Sequence, residues 1–157
     1  MNSRSNRAVS TGIPVCRMSA AVAICLIVAC ASRPAPTPEE TAHSALGQLR
    51  GALLVEIADK GRAQKAAALV DQIQEQDREA RNAVVDYRQR LGTLDANYDA
   101  TEDDFNKLFA EFNQERRMHQ HRLVDLWTQM AGLTTDAEWK ALDKARVAAA
   151  KALTTVG

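Results

Sequence analysis

A length of 157 residues is enough for one domain, and 46 % of the residues are hydrophobic while 25 % are charged. The 20 basic and 20 acidic residues balance each other, so the chain has no overall excess of positive charge. Nucleic-acid binding requires a clustered basic face, and none is visible along the sequence. We therefore expect no nucleic-acid partner.

The first 29 residues have the parts of a secretory signal. Arg4, Arg7 and Arg17 supply positive charge before any acidic residue, and residues 19–29 are uncharged and almost wholly apolar. A helix of that length spans about 16 Å, well short of the roughly 30 Å hydrocarbon core of a bilayer. The pattern predicts a removable signal peptide over residues 1–29 rather than a permanent membrane span.

The end of this segment, Ile27-Val28-Ala29-Cys30, resembles the lipobox of bacterial lipoproteins. The resemblance implies cleavage before Cys30, a diacylglyceryl group on its sulfur and a further acyl chain, such as palmitate, on its amine. Ala31 stands where the enterobacterial sorting pattern places aspartate in inner-membrane lipoproteins, which implies the outer membrane. The alternative is an ordinary secretory signal, with Cys30 left free or lost.

Processing at this point changes the cysteine content and the charge. Cys16 and Cys25 lie inside the signal, so Cys30 is the one cysteine of the processed chain. Removal of residues 1–29 removes three arginines and no acidic residue, which leaves a net charge of about −3.

The next residues divide into a tether and a helical domain. Residues 30–37 contain the lipidated cysteine and a proline-rich segment that should stay extended. Thr37 as N-cap, Pro38 at the first helical position and Glu40 two positions later form a capping box. The helical domain is therefore expected over residues 38–157, with its first helix ending near Gly61.

Two long helices are predicted next, each with a buried seam of alternating four- and three-residue spacing. The second helix carries Ala66, Val70, Ile73, Asp77, Ala80, Val84, Tyr87, Leu91, Leu94 and Tyr98. The third helix carries Phe105, Phe109, Phe112, Arg116, His119, Leu123, Leu126 and Met130. A polar turn over residues 95–100 should join them as an antiparallel hairpin that sets Tyr87 beside Phe112. The aromatic residues near the turn then form either a packed cluster or an exposed patch.

A last helix should begin at Thr134 or Thr135, because Thr135 and Glu138 form another capping box. No stretch shows the alternating pattern of a strand. The predicted fold class is all-α: an elongated antiparallel helical hairpin with two shorter flanking helices.

Three polar residues interrupt the apolar seams: Asp77, Arg116 and His119. The hairpin register places Asp77 near His119 and Arg122, so we predict that it contacts one of these two residues. The first interpretation is a structural polar seam that fixes helix alignment. The second is a pH-sensitive pair, since a histidine beside a carboxylate titrates in the physiological range.

The sequence offers few candidates for chemistry. His119 and His121 are two residues apart and point to nearly opposite sides of a helix, so no metal site is predicted from them together. The alternative is a metal site assembled from His119, His121, His43 and Met118. The processed chain shows no catalytic motif, so we expect neither an enzyme, nor a cofactor, nor a small-molecule substrate.

A second resemblance concerns the starts of the helices. Leu133-Thr134-Thr135-Asp136-Ala137-Glu138-Trp139 resembles the Leu-Thr-x-x-Gln-type helix starts of Spy-type periplasmic chaperones and heavy-metal sensors, and Thr37-Pro38-Glu39-Glu40 is similar to their earlier copy. The glutamine is absent here. Members of that family bind client proteins on a concave basic cradle, whereas this chain is slightly acidic after processing.

These features predict a lipid-anchored helical protein on the periplasmic side of the bacterial outer membrane. It would act through protein–protein contacts, as an interaction or chaperone-like module of the envelope. Its expected partners are the membrane, through the lipid anchor, and another envelope protein. The alternative function is that of a periplasmic metal-binding or metal-sensing lipoprotein.

Overall fold

A computed structural model of the chain describes residues 35–154. These residues form five helices and no strand, which confirms the all-α class and the antiparallel hairpin with shorter flanking helices. The helices are α1 (Pro38–Glu56), α2 (Lys60–Asp95), α3 (Glu102–Gly132), α4 (Asp136–Ala141) and α5 (Asp143–Thr154). The predicted signal peptide and Cys30 lie outside the described residues. Within residues 35–154, no helix combines the length and the apolar composition that a membrane span requires.

Local capping decides where the helices begin. Complete capping boxes open three of them, at Thr37 with Glu40, at Thr101 with Asp104 and at Thr135 with Glu138. The predicted end of the first helix near Gly61 is wrong. α1 ends at Glu56, and Asp59 caps a new helix that already contains Gly61 by accepting a hydrogen bond from the Arg62 amide at 2.7 Å.

The predicted last helix is in fact two helices. α4 ends at Ala141, and Leu142 separates it from α5. Leu142 itself is fully buried in the core, so the break inserts an apolar anchor between the two helices. α5 then lies along α1, and alanines on both helices, including Ala45 and Ala152, are buried at this contact.

The hydrophobic core occupies one end of the molecule, which we call the base. There α1 runs antiparallel to α2: Arg50 pairs with Asp71, and His43, earlier in α1, contacts Gln74, later in α2. Helices α1, α2, α3 and α5 share one apolar cluster. Its largest fully buried side chains are Leu46, Leu49, Leu53, Val70, Ile73, Met130 and Leu142. Burial of each such side chain stabilises the fold by about 1.5–3 kcal/mol.

Beyond the base, α2 and α3 continue as a two-helix arm, residues 81–118, that includes the connecting turn. The predicted register is confirmed for one pair, Tyr87 and Phe112, whose rings stack with centroids 4.1 Å apart. Arg90 and Glu111 add a cross-helix ion pair of 2.5 Å. Leu108 is the one residue of the arm that is fully shielded from solvent.

Some predicted seam residues of the arm lie elsewhere. Leu108 occupies the buried position on α3, while the neighbouring Phe109 is 40 % exposed. Tyr98 is fully exposed because α2 ends at Asp95, before the predicted seam does. The prediction for Tyr98 was therefore wrong, whereas Phe109 lies at the edge of the seam beside Tyr87 and Phe105.

Candidate functional site

A cavity of about 400 Å³ lies where α2 and α3 pass the end of α5. We call it the junction cavity. Its apolar wall consists of Ala80, Ala83, Val84, Phe112, Leu123 and Leu153. Its polar lining consists of Gln76, Asp77, Arg81, Arg116, His119, Gln120 and Thr154. All three predicted seam residues thus line the same cavity.

Asp77 has a partner other than the two that were predicted. Its Oδ2 accepts a hydrogen bond from Arg81 Nε at 2.8 Å, one turn along the same helix. Both side chains are largely buried, with 15 % and 16 % of their surface exposed. The prediction of a contact with His119 or Arg122 was therefore wrong, because the intrahelical pair satisfies the carboxylate first.

Arg81 is only partly satisfied by this pair. Its Nη2 is shielded from solvent and has no hydrogen-bond acceptor among the described residues. A buried donor without an acceptor costs about 1–3 kcal/mol, and more when the group is charged. Arg81 thus lines the junction cavity, but its unused N–H group is shielded from solvent.

His119 and Arg122 contact other residues of α2. His119 Nδ1 lies 3.4 Å from Gln76 Oε1, and Arg122 Nη1 lies 3.9 Å from Glu79 Oε2. The side chain of His119 is half-buried and that of His121 is exposed, as their spacing of two residues predicts. Polar contacts therefore cross the hairpin near Asp77, but Gln76 and Glu79 make them.

Arg116 does not lie in the seam. Glu115 is half-buried at this level of α3, whereas Arg116 is exposed. Arg116 lines the junction cavity, and its guanidinium forms no ion pair with any of the described residues. The prediction of Arg116 as a seam residue was wrong, but the structure places it at the rim of the cavity.

The residues of the alternative metal site are not brought together. The ring of His43 contacts the side-chain amide of Gln74, whereas His119 contacts Gln76. His121 and Met118 are exposed on α3. Among residues 35–154, no group of three or more histidine, cysteine or acidic side chains is arranged to hold a metal ion.

At the opposite end of the base, Glu138 holds three segments together. Its carboxylate pairs with the Arg62 guanidinium at 2.9 and 3.1 Å and accepts a hydrogen bond from the Ala58 amide at 3.1 Å. Arg62 also donates to the Leu133 carbonyl at 2.9 Å. These bonds, with those from Thr135, lower the pKa of Glu138 from 4.5 to about 2.

We call the bonds of Glu138 with Arg62 and Ala58 the latch. Its role is structural, and the local sequence predicts only the position of its glutamate. The capping box at Thr135 explains why a glutamate stands at position 138. Nothing in the local sequence indicates that the same carboxylate also reaches the α1–α2 connection, because Arg62 lies 76 positions away.

The aromatic residues of the arm form both a cluster and an exposed surface. Tyr87 stacks on Phe112, and the ring centroids of Phe109 lie 6.4 Å from those of Tyr87 and of Phe105. We call these four residues the aromatic seam. Phe109 leaves 40 % of its surface accessible, and Val85 and Met118 elsewhere on the arm are each 51 % exposed.

Comparisons of the chain with protein-family models, with curated proteins and with solved structures find no match. Within residues 35–154, the junction cavity combines an apolar wall with charged side chains, and the aromatic seam leaves Phe109 partly exposed.

Proposed function

We propose that this chain is a lipid-anchored protein of the bacterial envelope, held to the periplasmic face of the outer membrane through Cys30. Its arm would bind another envelope protein, or the apolar segments of an incompletely folded one. The lipobox-like Ile27-Val28-Ala29-Cys30 supports the anchor, and Ala31 supports the outer membrane. At least two acyl chains would be needed, since one chain anchors a protein only weakly.

One observation carries the proposed activity: the aromatic seam has no covering layer. In the base, α5 and α1 complete the packing of the two long helices. α5 ends at Thr154, next to the junction cavity, and none of the described helices covers α2 and α3 beyond it. Phe109 is 40 % exposed, and Tyr87, Phe105 and Phe112 lie half-buried beside it. Partly exposed aromatic side chains are typical of protein-contact surfaces, where tyrosine and phenylalanine are enriched.

The chemistry of the arm favours an apolar partner with polar margins. The rings provide the apolar strip, and the Arg90–Glu111 pair lies beside it. An apolar side chain placed between these rings would remove their remaining surface from water, a gain of about 25 cal/mol per Å². An amphipathic or unfolded segment can present such side chains in a row.

The anchor is tested by the mass of the processed protein from envelope fractions. We expect a mass equal to residues 30–157 plus lipid, and a Cys30→Ser variant that lacks the lipid and leaves the membrane fraction. Retention of residues 1–29, or a Cys30→Ser variant that stays membrane-bound without lipid, would refute the anchor.

The arm is tested by photo-crosslinking in intact envelopes. A photoreactive amino acid replaces Phe109 in one variant and Val55 in the control, because Val55 is an exposed apolar residue of the base. We expect a discrete crosslinked protein from position 109 and none from position 55. Equal products from both positions, or none from position 109, would contradict a binding role of the arm.

A further inference from the structure

We propose that the junction cavity binds a small apolar carboxylate, of the class of a medium-chain fatty acid. Its hydrocarbon part would lie against the apolar wall, and its carboxylate would face Arg116. This inference is independent of the protein contacts proposed for the arm, and it departs from the expectation that the chain has no small-molecule ligand.

The size and the walls of the cavity suit such a ligand. A volume of about 400 Å³ falls within the roughly 300–1,000 Å³ that is common for small-molecule sites. Ala80, Val84 and Phe112 of the two long helices contribute to the apolar lining, and alanine is the smallest of these side chains. Leu153 and Thr154 of α5 also line the cavity, while its α2 and α3 residues fall only within 76–84 and 112–123, so it is confined to the junction and does not run the length of the arm.

The charges around the cavity select an anion. Arg81 is paired with Asp77, so these two charges largely cancel. Arg116 has no acidic partner among the described residues and supplies the unbalanced positive charge. A carboxylate paired with a guanidinium forms a strong charge-assisted hydrogen bond.

The charged rim and the apolar wall of the cavity also fix the orientation of the ligand. Arg116 is exposed at the rim, whereas Phe112, one turn nearer the tip of the arm, is half-buried. A fatty acid can satisfy both at once, with its head in water at the rim and its chain in the cavity. Neither a purely apolar molecule nor a short anion such as acetate would use both features.

Calorimetric titration of the full chain tests this proposal with three probes: octanoate, 1-octanol and acetate. We expect saturable binding of octanoate, binding of 1-octanol weaker by about tenfold or more, and no binding of acetate. NMR shifts of the His119 and Phe112 side chains should report the site. Absence of octanoate binding, or equal binding of octanoate and 1-octanol, would overturn the proposal.

A pair of neighbouring arginines provides the matched control. Arg116→Met should weaken octanoate binding by about tenfold or more, while 1-octanol binding stays unchanged. Arg117 is exposed on the same helix but does not line the cavity, so Arg117→Met should change binding by less than about twofold. Equal losses in the two variants would indicate general charge attraction and contradict the site. Ala80→Leu, checked for an unchanged melting transition, should abolish octanoate binding by filling the cavity.

Discussion

The Glu138 carboxylate and the Arg62 guanidinium form a two-point ion pair, with oxygen–nitrogen distances of 2.9 and 3.1 Å. This pair joins the start of α4 to the start of α2, and Glu138 also receives the Ala58 amide of the α1–α2 connection. A single acidic side chain therefore ties together three segments at the closed end of the base.

Acid should weaken this latch. The pKa of Glu138 is about 2 in the folded protein against an ordinary value of 4.5. A carboxyl group whose pKa is lowered by folding stabilises the protein fully above its unfolded pKa and loses that contribution as the pH falls. The stabilisation should therefore be complete above pH 4.5 and disappear progressively toward pH 2.

Urea unfolding at a series of pH values measures this effect in a Glu138→Gln variant. Glutamine still completes a capping box, so the variant removes the charge and spares the cap. We expect the variant to be less stable than the original protein near neutral pH, with a difference that shrinks from pH 4.5 downward. Glu75→Gln, at an exposed pair with Arg78, should show little difference at any pH. Parallel pH profiles for Glu138→Gln and the original protein would contradict the latch.

Two glycines in α1 should be replaceable with a gain in stability. A Cβ atom at Gly47 or Gly51 would meet no atom within 4 Å. Each Gly→Ala change should then raise the free energy of unfolding by up to about 1 kcal/mol, because alanine has the higher helix propensity. Thermal unfolding followed by circular dichroism provides the measurement.

Gly61 serves as the control for this pair. A Cβ atom there would lie 3.3 Å from Asp59 Oδ1, the atom that caps α2. Gly61→Ala should therefore gain less than the other two variants. Destabilisation by Gly47→Ala or Gly51→Ala would mean that α1 approaches a neighbour more closely than the structure shows.

Thr101, the N-cap of α3, should contribute to stability, whereas Thr93 near the end of α2 should not. The Thr101 hydroxyl accepts a hydrogen bond from the Asp104 amide, and the Asp104 carboxylate accepts bonds from the Thr101 amide at 3.0 Å and from the Thr101 hydroxyl at 2.7 Å. The two bonds that the carboxylate accepts lower the pKa of Asp104. Thr101→Ala should cost about 1 kcal/mol in chemical denaturation.

Thr93 is the matched control, since its hydroxyl only donates back to the Gln89 carbonyl within α2. Thr93→Ala should leave the stability unchanged or slightly higher, because such back-bonding does not support a helix. Similar losses for Thr101→Ala and Thr93→Ala would show that the cap itself is unimportant.

The arm should open more easily than the base. Leu108 is its one fully shielded residue, while the base contains the large buried cluster. In native-state hydrogen exchange, amides of residues 81–118 should exchange through an opening that costs less free energy than global unfolding. Tyr87→Ala removes the stacked contact with Phe112 and should lower that opening free energy by about 1 kcal/mol.

Tyr98→Ala changes the same residue type at a fully exposed position and should leave exchange in the arm unaltered. Equal protection of arm and base in the unmodified protein would show that the whole chain unfolds as one cooperative unit. It would also remove the distinction between a stable base and an adaptable arm.

Much of the fold could be predicted from the sequence because its signals are local. The three capping boxes involve side chains three residues apart, and the apolar spacing of α2 and α3 needs only the period of a helix. The short turn between the long helices then fixes their antiparallel pairing, which set Tyr87 on Phe112. One error was also local. Gly61 was expected to end the first helix, whereas Asp59, two residues earlier, already caps the start of the next one.

The candidate site was predictable only in part. Spacing alone marked Asp77, Arg116 and His119 as exceptions, and all three line the junction cavity. Spacing could not choose their partners, because Asp77 had basic residues within reach both on its own helix and on the facing one. Asp77 pairs with Arg81 on its own helix. Arg116 lies at the rim of the cavity and has no acidic partner among the described residues.

The sequence by itself determined where α1, α3 and α4 start, that the two long helices pair, and which residues interrupt their seams. Those features depend on hydrogen bonds and periodicities within a few residues. Only the tertiary structure decided that Glu138 pairs with Arg62 and that Leu153 and Ala80 line the same cavity. Both depend on how closely α4 and α5 approach helices that are distant in the chain, and that approach is set by the packing of the whole core.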